Sequence, residues 1–411
     1  MTKSIAIIAT LDTKGEEVAY LKHLIEELGY QTITIDIGVL GEPPFEATIG
    51  RHQVVQAGGR TLEEIIVFNH EAKAMGVMAE GASKIVKQLY SGGKLSGVLA
   101  VGGSVGTSVA LKVMKVLPLG IPKLIVSTIA FSHAVTPDEV NADLMMMQWA
   151  AGLWGLNSIS RMVFEQAAGA ISGAAEAYQK KKVTKKKLVG LTSLGSSQLR
   201  YVHWLKPALE ERGYEVAVFH ATGMGGRGFE QAIAEGTIDV ALDLALSELI
   251  NEVCGGVGSA GEHRLEAAGR RGIPQIVAVA PATFFWWATG SPLPSKLKKR
   301  PRHRHNGLTV VAASKQEMAK AGRLIAEKLN MATVPAVVVI PLKRGVMEAN
   351  GKVHASPFND PEGGEALFRV FKRNIKPETK VIEIDAHIND KAFADKVLAL
   401  FDEITKVRGK Q

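Results

Sequence analysis

Short apolar runs that end in glycine or a small polar residue alternate along this chain with longer stretches of helical periodicity. Residues 4–11 read as a strand, and residues 14–29 as an amphipathic helix closed by Gly29. Residues 31–37 form the next strand, and 39–59, rich in Gly, Pro and polar side chains, read as a long loop. Residues 62–89 are helical in pattern, with breaks expected near Gly76 or Gly81. A strand at 97–101, a helix at 107–117 and a strand at 123–127 follow, and 157–179 reads as a long helix of small residues. The stretch 141–149, with Met145, Met146, Met147 and Trp149, reads as a packed helix.

A lysine cluster at Lys180–Lys182 and Lys185–Lys187 interrupts the rhythm, which then restarts. Strands are expected at 188–192, 215–220, 238–242, 275–280, 309–313, 334–341 and 380–384, and helices at 197–213, 315–329 and 390–407. Apolar strands alternating with helices are the pattern of parallel sheets covered on both faces. The fold class expected is therefore α/β, with two doubly wound, Rossmann-like parallel-sheet domains and a cleft between them. The expected division is 1–182 and 188–411.

Composition narrows the class without choosing a function. A chain of 411 residues with 46% hydrophobic and 22% charged residues is globular and long enough for two cores. No apolar run reaches the ~18 residues of a membrane helix. Met1-Thr2-Lys3-Ser4 leads straight into a strand, so no signal peptide is expected. The single cysteine, Cys254, excludes an internal disulfide and fits a reducing cytoplasm. The net charge of +8 is concentrated in the lysine cluster, read as a solvated linker, and in residues 296–305 (KLKKRPRHRH), read as a basic surface loop. Neither has the interleaved aromatics of a nucleic-acid reader, so nucleic acid is not the expected partner.

The chemistry-bearing residues gather at strand ends. After the strand at 97–101 come Gly102, Gly103, Ser104, Gly106, Thr107 and Ser108. Glycines there let the backbone approach a ligand, and the following helix start offers free N–H groups to phosphate. The alternative is a tight strand–helix turn with a hydroxyl cap. The stretch is neither a P-loop nor a GxGxxG fingerprint. In open parallel sheets ligands bind beyond the carboxyl ends of the strands, which brings Asp12, Thr13, Lys14, Ser127 and Thr128 onto the same rim. Lys14 suits phosphate as a point charge, and Asp12 suits Mg²⁺ through water. In the second half Gly225, Gly226 and Arg227 form a further glycine loop, with Glu248, Gly255 and Gly256 as substrate candidates. Residues 284–287 (FFWW) are expected to line a pocket, make a dimer contact or pack internally.

Eight blocks carry a resemblance: LDTKGEE at 11–17, GGSVGTS at 102–108, PKLIVST at 122–128, GLNSISR at 155–161, ATGMGGR at 221–227, GGV at 255–257, LEAA at 265–268 and IDAHIND at 384–390. In order and spacing the chain resembles the ATP-binding N-terminal module of the tomato mosaic virus resistance protein family. The resemblance implies two α/β subdomains, ATP with Mg²⁺ on the first, and a homodimer. In the plant protein the module blocks a viral replication protein. Residues 129–133, 243–248 and 281–290 depart from the family's pattern, which points to a divergent substrate. Three readings stand: an ATP-binding protein, a hydrolase or transferase acting on a small acidic or phosphorylated substrate, and a nucleotide-responsive interaction module.

Overall fold

The computed structural model describes residues 4–180, 186–195, 200–280, 283–343 and 358–406. It divides into two compact units, Met1–Val183 and Thr184–Gln411. Residues 181–185 of the lysine cluster and 196–199, where the helix at 197–213 is expected to start, lie outside the described residues.

The N-terminal unit begins with β1 (Ser4–Ala9), α1 (Leu11–Glu27) and β2 (Gln31–Asp36). Three helices follow, α2 (Arg51–Ala57), α3 (Leu62–Val67) and α4 (Glu71–Ser91), and then β3 (Leu95–Gly102) and α5 (Ser104–Met114). The unit closes with β4 (Lys123–Ser127), β5 (Met145–Gln148) and α6 (Ser158–Gln179). Its five strands are parallel, in the order β2-β1-β3-β4-β5. The chain therefore reverses its direction of winding between β1 and β3, where a crevice opens at the strands' carboxyl ends.

Alternation along the strands fixes the two layers. Ile5 and Ile7 of β1 and Leu99 and Val101 of β3 pack with Leu21 of α1 and Phe164 and Ile171 of α6. Their neighbours Ala6, Ile8, Val98 and Ala100 face the other way, onto Met78 of α4 and Val109 and Val113 of α5. Successive side chains point to opposite faces, so two-sided burial produces the continuous apolar runs read from the sequence.

The C-terminal unit repeats this winding with a sixth strand. It contains β6 (Leu188–Ser193), α7 (Arg200–Glu211), β7 (Glu215–His220), α8 (Met224–Ala234), β8 (Val240–Asp243), α9 (Ser247–Cys254), α10 (Ala267–Arg271) and β9 (Gln275–Ala278). A hairpin-like insert supplies β10 (Phe284–Ala288), β11 (Arg302–His305) and β12 (Leu308–Ala312). Then come α11 (Lys315–Asn330), β13 (Val337–Lys343), α12 (Pro361–Asn374), β14 (Lys380–His387) and α13 (Lys391–Lys406). The large sheet is parallel, in the order β14-β13-β9-β8-β6-β7, and the insert is a separate antiparallel sheet, β10-β12-β11. The equivalent reversal lies between β6 and β8. Both units are thus α/β with doubly wound parallel sheets.

Several local expectations are corrected. Residues 145–148 form an edge strand beside β4 and not a helix; Met146 packs on one side, and Met145 and Met147 on the other. The loop at 39–59 contains α2, and the helical stretch at 62–89 breaks at Asn69, which has φ +43, and not at Gly76 or Gly81. The basic stretch ends in β11, which is exposed along its length as expected of a charged edge strand. The centre of the aromatic run lies inside: Phe285 is fully buried and Trp286 nearly so, in contact with α9 and the insert's own strands, while Phe284 and Trp287 are half-buried. Phe285 and Trp286 are therefore not offered as surface for a contact between copies. Among the described residues no helix is long and apolar enough to cross a membrane.

Candidate functional site

The crevice of the N-terminal sheet is built from the ends of β1 and β3. Gly102 closes β3 opposite Ser127 of β4, and Gly103 is the N-cap of α5. A Cβ on Gly102 would lie 2.6 Å from the carbonyl carbon of Gly106, so only glycine lets the helix start this close to the strand. A Cβ on Gly103 meets nothing closer than the Thr128 Oγ1 at 3.8 Å. No side chain caps α5 at Gly103. Its first-turn N–H groups, the positive end of the helix, are presented at the crevice. Ser104 and Ser108 are exposed beside them.

The hydroxyls further in have other work. Thr107 and Ser127 are fully buried, their oxygens 2.7 Å apart, and Ser127 also accepts from the Ile129 N–H. They tie α5 to β4 and are not presented to a ligand, unlike the half-buried Thr128.

Across the crevice, α1 already has an anion. Asp36, buried at the end of β2, accepts from the N–H of Leu11 at 3.0 Å and of Gly38 at 2.8 Å. Burial holds its carboxyl above the ordinary range, against those two N–H groups and Arg51. Sequence reasoning missed Asp36; its only signal was an acidic residue ending an apolar strand. Asp12 accepts the N–H groups of Leu40 and Gly41 on Oδ2, while its buried Oδ1 has no partner. The Thr13 hydroxyl meets that of Thr10 at 2.9 Å. Lys14 donates to the Thr13 carbonyl at 3.1 Å, and its ammonium lies 5.5 Å from the centre of the Trp154 ring.

The residues singled out in the C-terminal half also come together, in a different way. Gly223, at φ +101, caps α8, so the glycine loop of the sequence is largely the first turn of a helix. The buried carboxylate of Glu248 accepts the N–H of Gly223 at 2.6 Å and of Gly226 at 3.0 Å. Its other oxygen is 2.6 Å from Arg264 Nε. Arg264 is itself buried and reaches Asp243 at 2.7 Å, Glu230 at 3.1 Å and the Ala245 carbonyl at 3.3 Å. Asp243 also accepts from the Thr192 hydroxyl, and Glu230 takes the N–H groups of Leu265, Glu266 and Ala267.

Burial pushes the Glu230 and Glu248 carboxyls up, against the opposing pull of Arg264. Burial alone would lower the Arg264 pKa, but Asp243, Glu248 and Glu230 hold the guanidinium charged. Arg227 is bound through its guanidinium to the carbonyls of Ser259 and Ala260. Gly225 lies in the first turn of α8, and Gly226 is buried there. Gly255 ends α9 in the left-handed region, and the Gly256 N–H bonds the Asn251 carbonyl. That is a carboxyl end of a helix, the wrong pole for an anion. Sequence reasoning missed Asp243, Glu230 and Arg264, whose partners are distant along the chain. Among the described residues no group of three or more His, Cys, Asp or Glu side chains could hold a metal ion.

Comparison with known proteins matches both halves of the chain to one family. Residues 3–180 match the N-terminal domain, and 186–405 the C-terminal domain, of the family described as "Uncharacterised protein family (UPF0261)". A UPF0261 protein of Brucella suis is 41% identical over 399 residues, covering 97% of this chain and 94% of that protein. One from Clostridium tetani is 38% identical over 397 residues, covering 96% and 97%. The ToMV resistance protein Tm-1(GCR237) of Solanum lycopersicum is 31% identical over 345 residues, covering 81% of this chain and 44% of the plant protein. With both halves matched in order, the chain belongs to the UPF0261 family.

Proposed function

We propose that the N-terminal unit binds ATP or a closely related nucleoside polyphosphate at the β1/β3 crevice, with Mg²⁺. One observation carries this reading. Of the two glycine-rich helix starts singled out in the sequence, α8 is closed by the chain's own Glu248, whereas α5 has no side-chain cap. An uncapped helix start behind two glycines, at the reversal point of a parallel sheet, is built for a phosphate group. The choice of ATP follows the resemblance to the plant module.

The residues present fit Mg²⁺ in one respect. Asp12 keeps a buried carboxylate oxygen without a partner, while its other oxygen is fixed by two backbone N–H groups. A single carboxylate suits Mg²⁺, which keeps several waters and takes its remaining ligands from phosphate. Bound there, the ion would neutralise phosphate charge. Lys14 adds a second positive charge from the same turn.

Titration calorimetry with ATP and Mg²⁺ tests the assignment on wild type and Gly103→Val. The open space at Gly103 lets the variant fold, while a branched side chain blocks phosphate from the helix start. Affinity should fall at least about tenfold. Unchanged affinity in a folded variant would remove the α5 start from the site.

A further inference from the structure

Trp154 is the most exposed large apolar side chain among the described residues, at 90%. Isolated surface apolar residues are common, but a tryptophan offered almost whole to solvent is not. Its backbone is not loose. Leu153 beside it is buried, and the Trp149 indole donates to the Gly152 carbonyl. On the other side Gly155, at φ +77, donates its N–H to the buried Glu17 of α1. The ring also fills the space that a side chain on Gly152 would need, since a Cβ there would lie 2.7 Å from Trp154 Cδ1.

Topology brings this ring to the crevice. The segment between β5 and α6 starts at the carboxyl end of an edge strand and must return to α6, which packs beside α1. It therefore crosses the rim at the strands' carboxyl ends, and Trp154 meets the ammonium of Lys14 there. Leu40 and Phe131, also exposed, leave the carboxyl ends of β2 and β4 on the same rim. The rim thus combines a helix start for phosphate, a lysine, and an aromatic face carried on an anchored stretch of backbone.

We infer that Trp154 is the stacking platform for the base of the bound nucleotide, which makes the site one for purine nucleotides rather than for phosphate alone. The inference rests on the phosphate site proposed for the same crevice. Flat aromatic faces stack on any base, and most strongly on the large purine ring system. Lys14 links the two halves of the site, because the ammonium beside the indole belongs to the turn that would face the phosphates.

The test compares two probes, ATP and inorganic tripolyphosphate, each with Mg²⁺, on wild type, Trp154→Ala and Trp154→Phe. Loss of one stacked base weakens binding by roughly 5- to 150-fold. Trp154→Ala should therefore bind ATP weakly yet bind tripolyphosphate as wild type does, with Trp154→Phe recovering most of the ATP affinity. Wild type should bind ATP and GTP more tightly than CTP and UTP. Equal ATP affinity in wild type and Trp154→Ala would overturn the stacking role while leaving the phosphate site intact. Parallel loss of both probes in Trp154→Ala would make the tryptophan a positioning residue for Lys14 and overturn it too. Failure of wild type to bind either probe would overturn the phosphate site and the platform together. If Trp154→Ala alters only sedimentation, the ring is a contact between copies and the inference falls.

Discussion

Glu248 lies with one carboxylate oxygen 2.6 Å from Arg264 Nε and the other 2.6 Å from the Gly223 N–H. One buried side chain thereby closes the start of α8 and anchors a buried guanidinium. Asp243 and Glu230 still balance the guanidinium when Glu248 is removed, but the Gly223 and Gly226 N–H groups and Arg264 Nε are left without their acceptor in the interior, at a cost of ~1–3 kcal/mol for each buried group left unsatisfied. Glu248→Ala should destabilise the C-terminal unit by at least that amount, read as a lower urea midpoint. A loss below about 1 kcal/mol would show that the cluster rearranges freely.

The same cluster sets a pH dependence. Burial holds Glu230 and Glu248 above their ordinary 4.5. Between pH 4.5 and those raised values the folded chain binds more protons than the unfolded one, so stability falls as pH rises through that window. Glu266 and Glu317 are held below 4.5, despite burial, by Lys328 and Arg300, and act only beneath the window. Urea midpoints should decline as the pH is raised above 4.5 through that window. A steady climb over that range would contradict the assignment.

Adjacent glycines should respond oppositely. Gly102→Ala places a methyl 2.6 Å from the backbone of Gly106, whereas Gly103→Ala enters open space. Overpacking of this kind costs ~1–3 kcal/mol. Thermal melts should show a clear loss for the first and near-identity with wild type for the second. Equal melting temperatures would mean that α5 moves to make room.

Cys254 should be inert in the native state. Burial, with the Glu317 carboxylate adding to it, pushes its thiol up to about 12. The thiolate is the reactive form, so a disulfide reagent at about pH 8 should label the folded chain far more slowly than the urea-unfolded one. Comparable rates would place the thiol in a more open and polar setting than the structure gives it.

The legible parts of this fold are those where burial is two-sided and local. β1 and β3 could be read because Ile5–Ile8 and Val98–Val101 are buried on both faces. β5 could not, since an edge strand of three methionines has neither alternation nor branched side chains to separate it from a helix. The insert was hidden for a related reason: Phe284–Ala288 owes its strand to antiparallel pairing with Leu308–Ala312, a partner some twenty residues on.

The candidate site divides in the same way. Glycines at a strand end were visible as a turn, and the structure places them at an uncapped helix. Thr107 and Ser127 looked like ligand hydroxyls, but each is satisfied by the other across 20 residues of chain. Glu248 stood out as an acid near a glycine loop, yet its role depends on Arg264, which local pattern gave no reason to bury. Trp154 had a trace in the flanking Gly152 and Gly155, overlooked because it matched no motif.

Two sheets wound alike, one helix start filled from within and the other left open, imply an asymmetry in thermodynamic linkage. A ligand that binds only the folded form adds RT ln(1 + [L]/Kd) to the stability of the part that holds it. A unit that carries its own counter-ion has no such dependence on what surrounds it. Heating the chain at rising nucleotide concentration should therefore raise the melting of the N-terminal unit and leave that of the C-terminal unit where it was. One half of the molecule would report the supply of nucleotide in its own lifetime as a folded body, and the other would be indifferent to it.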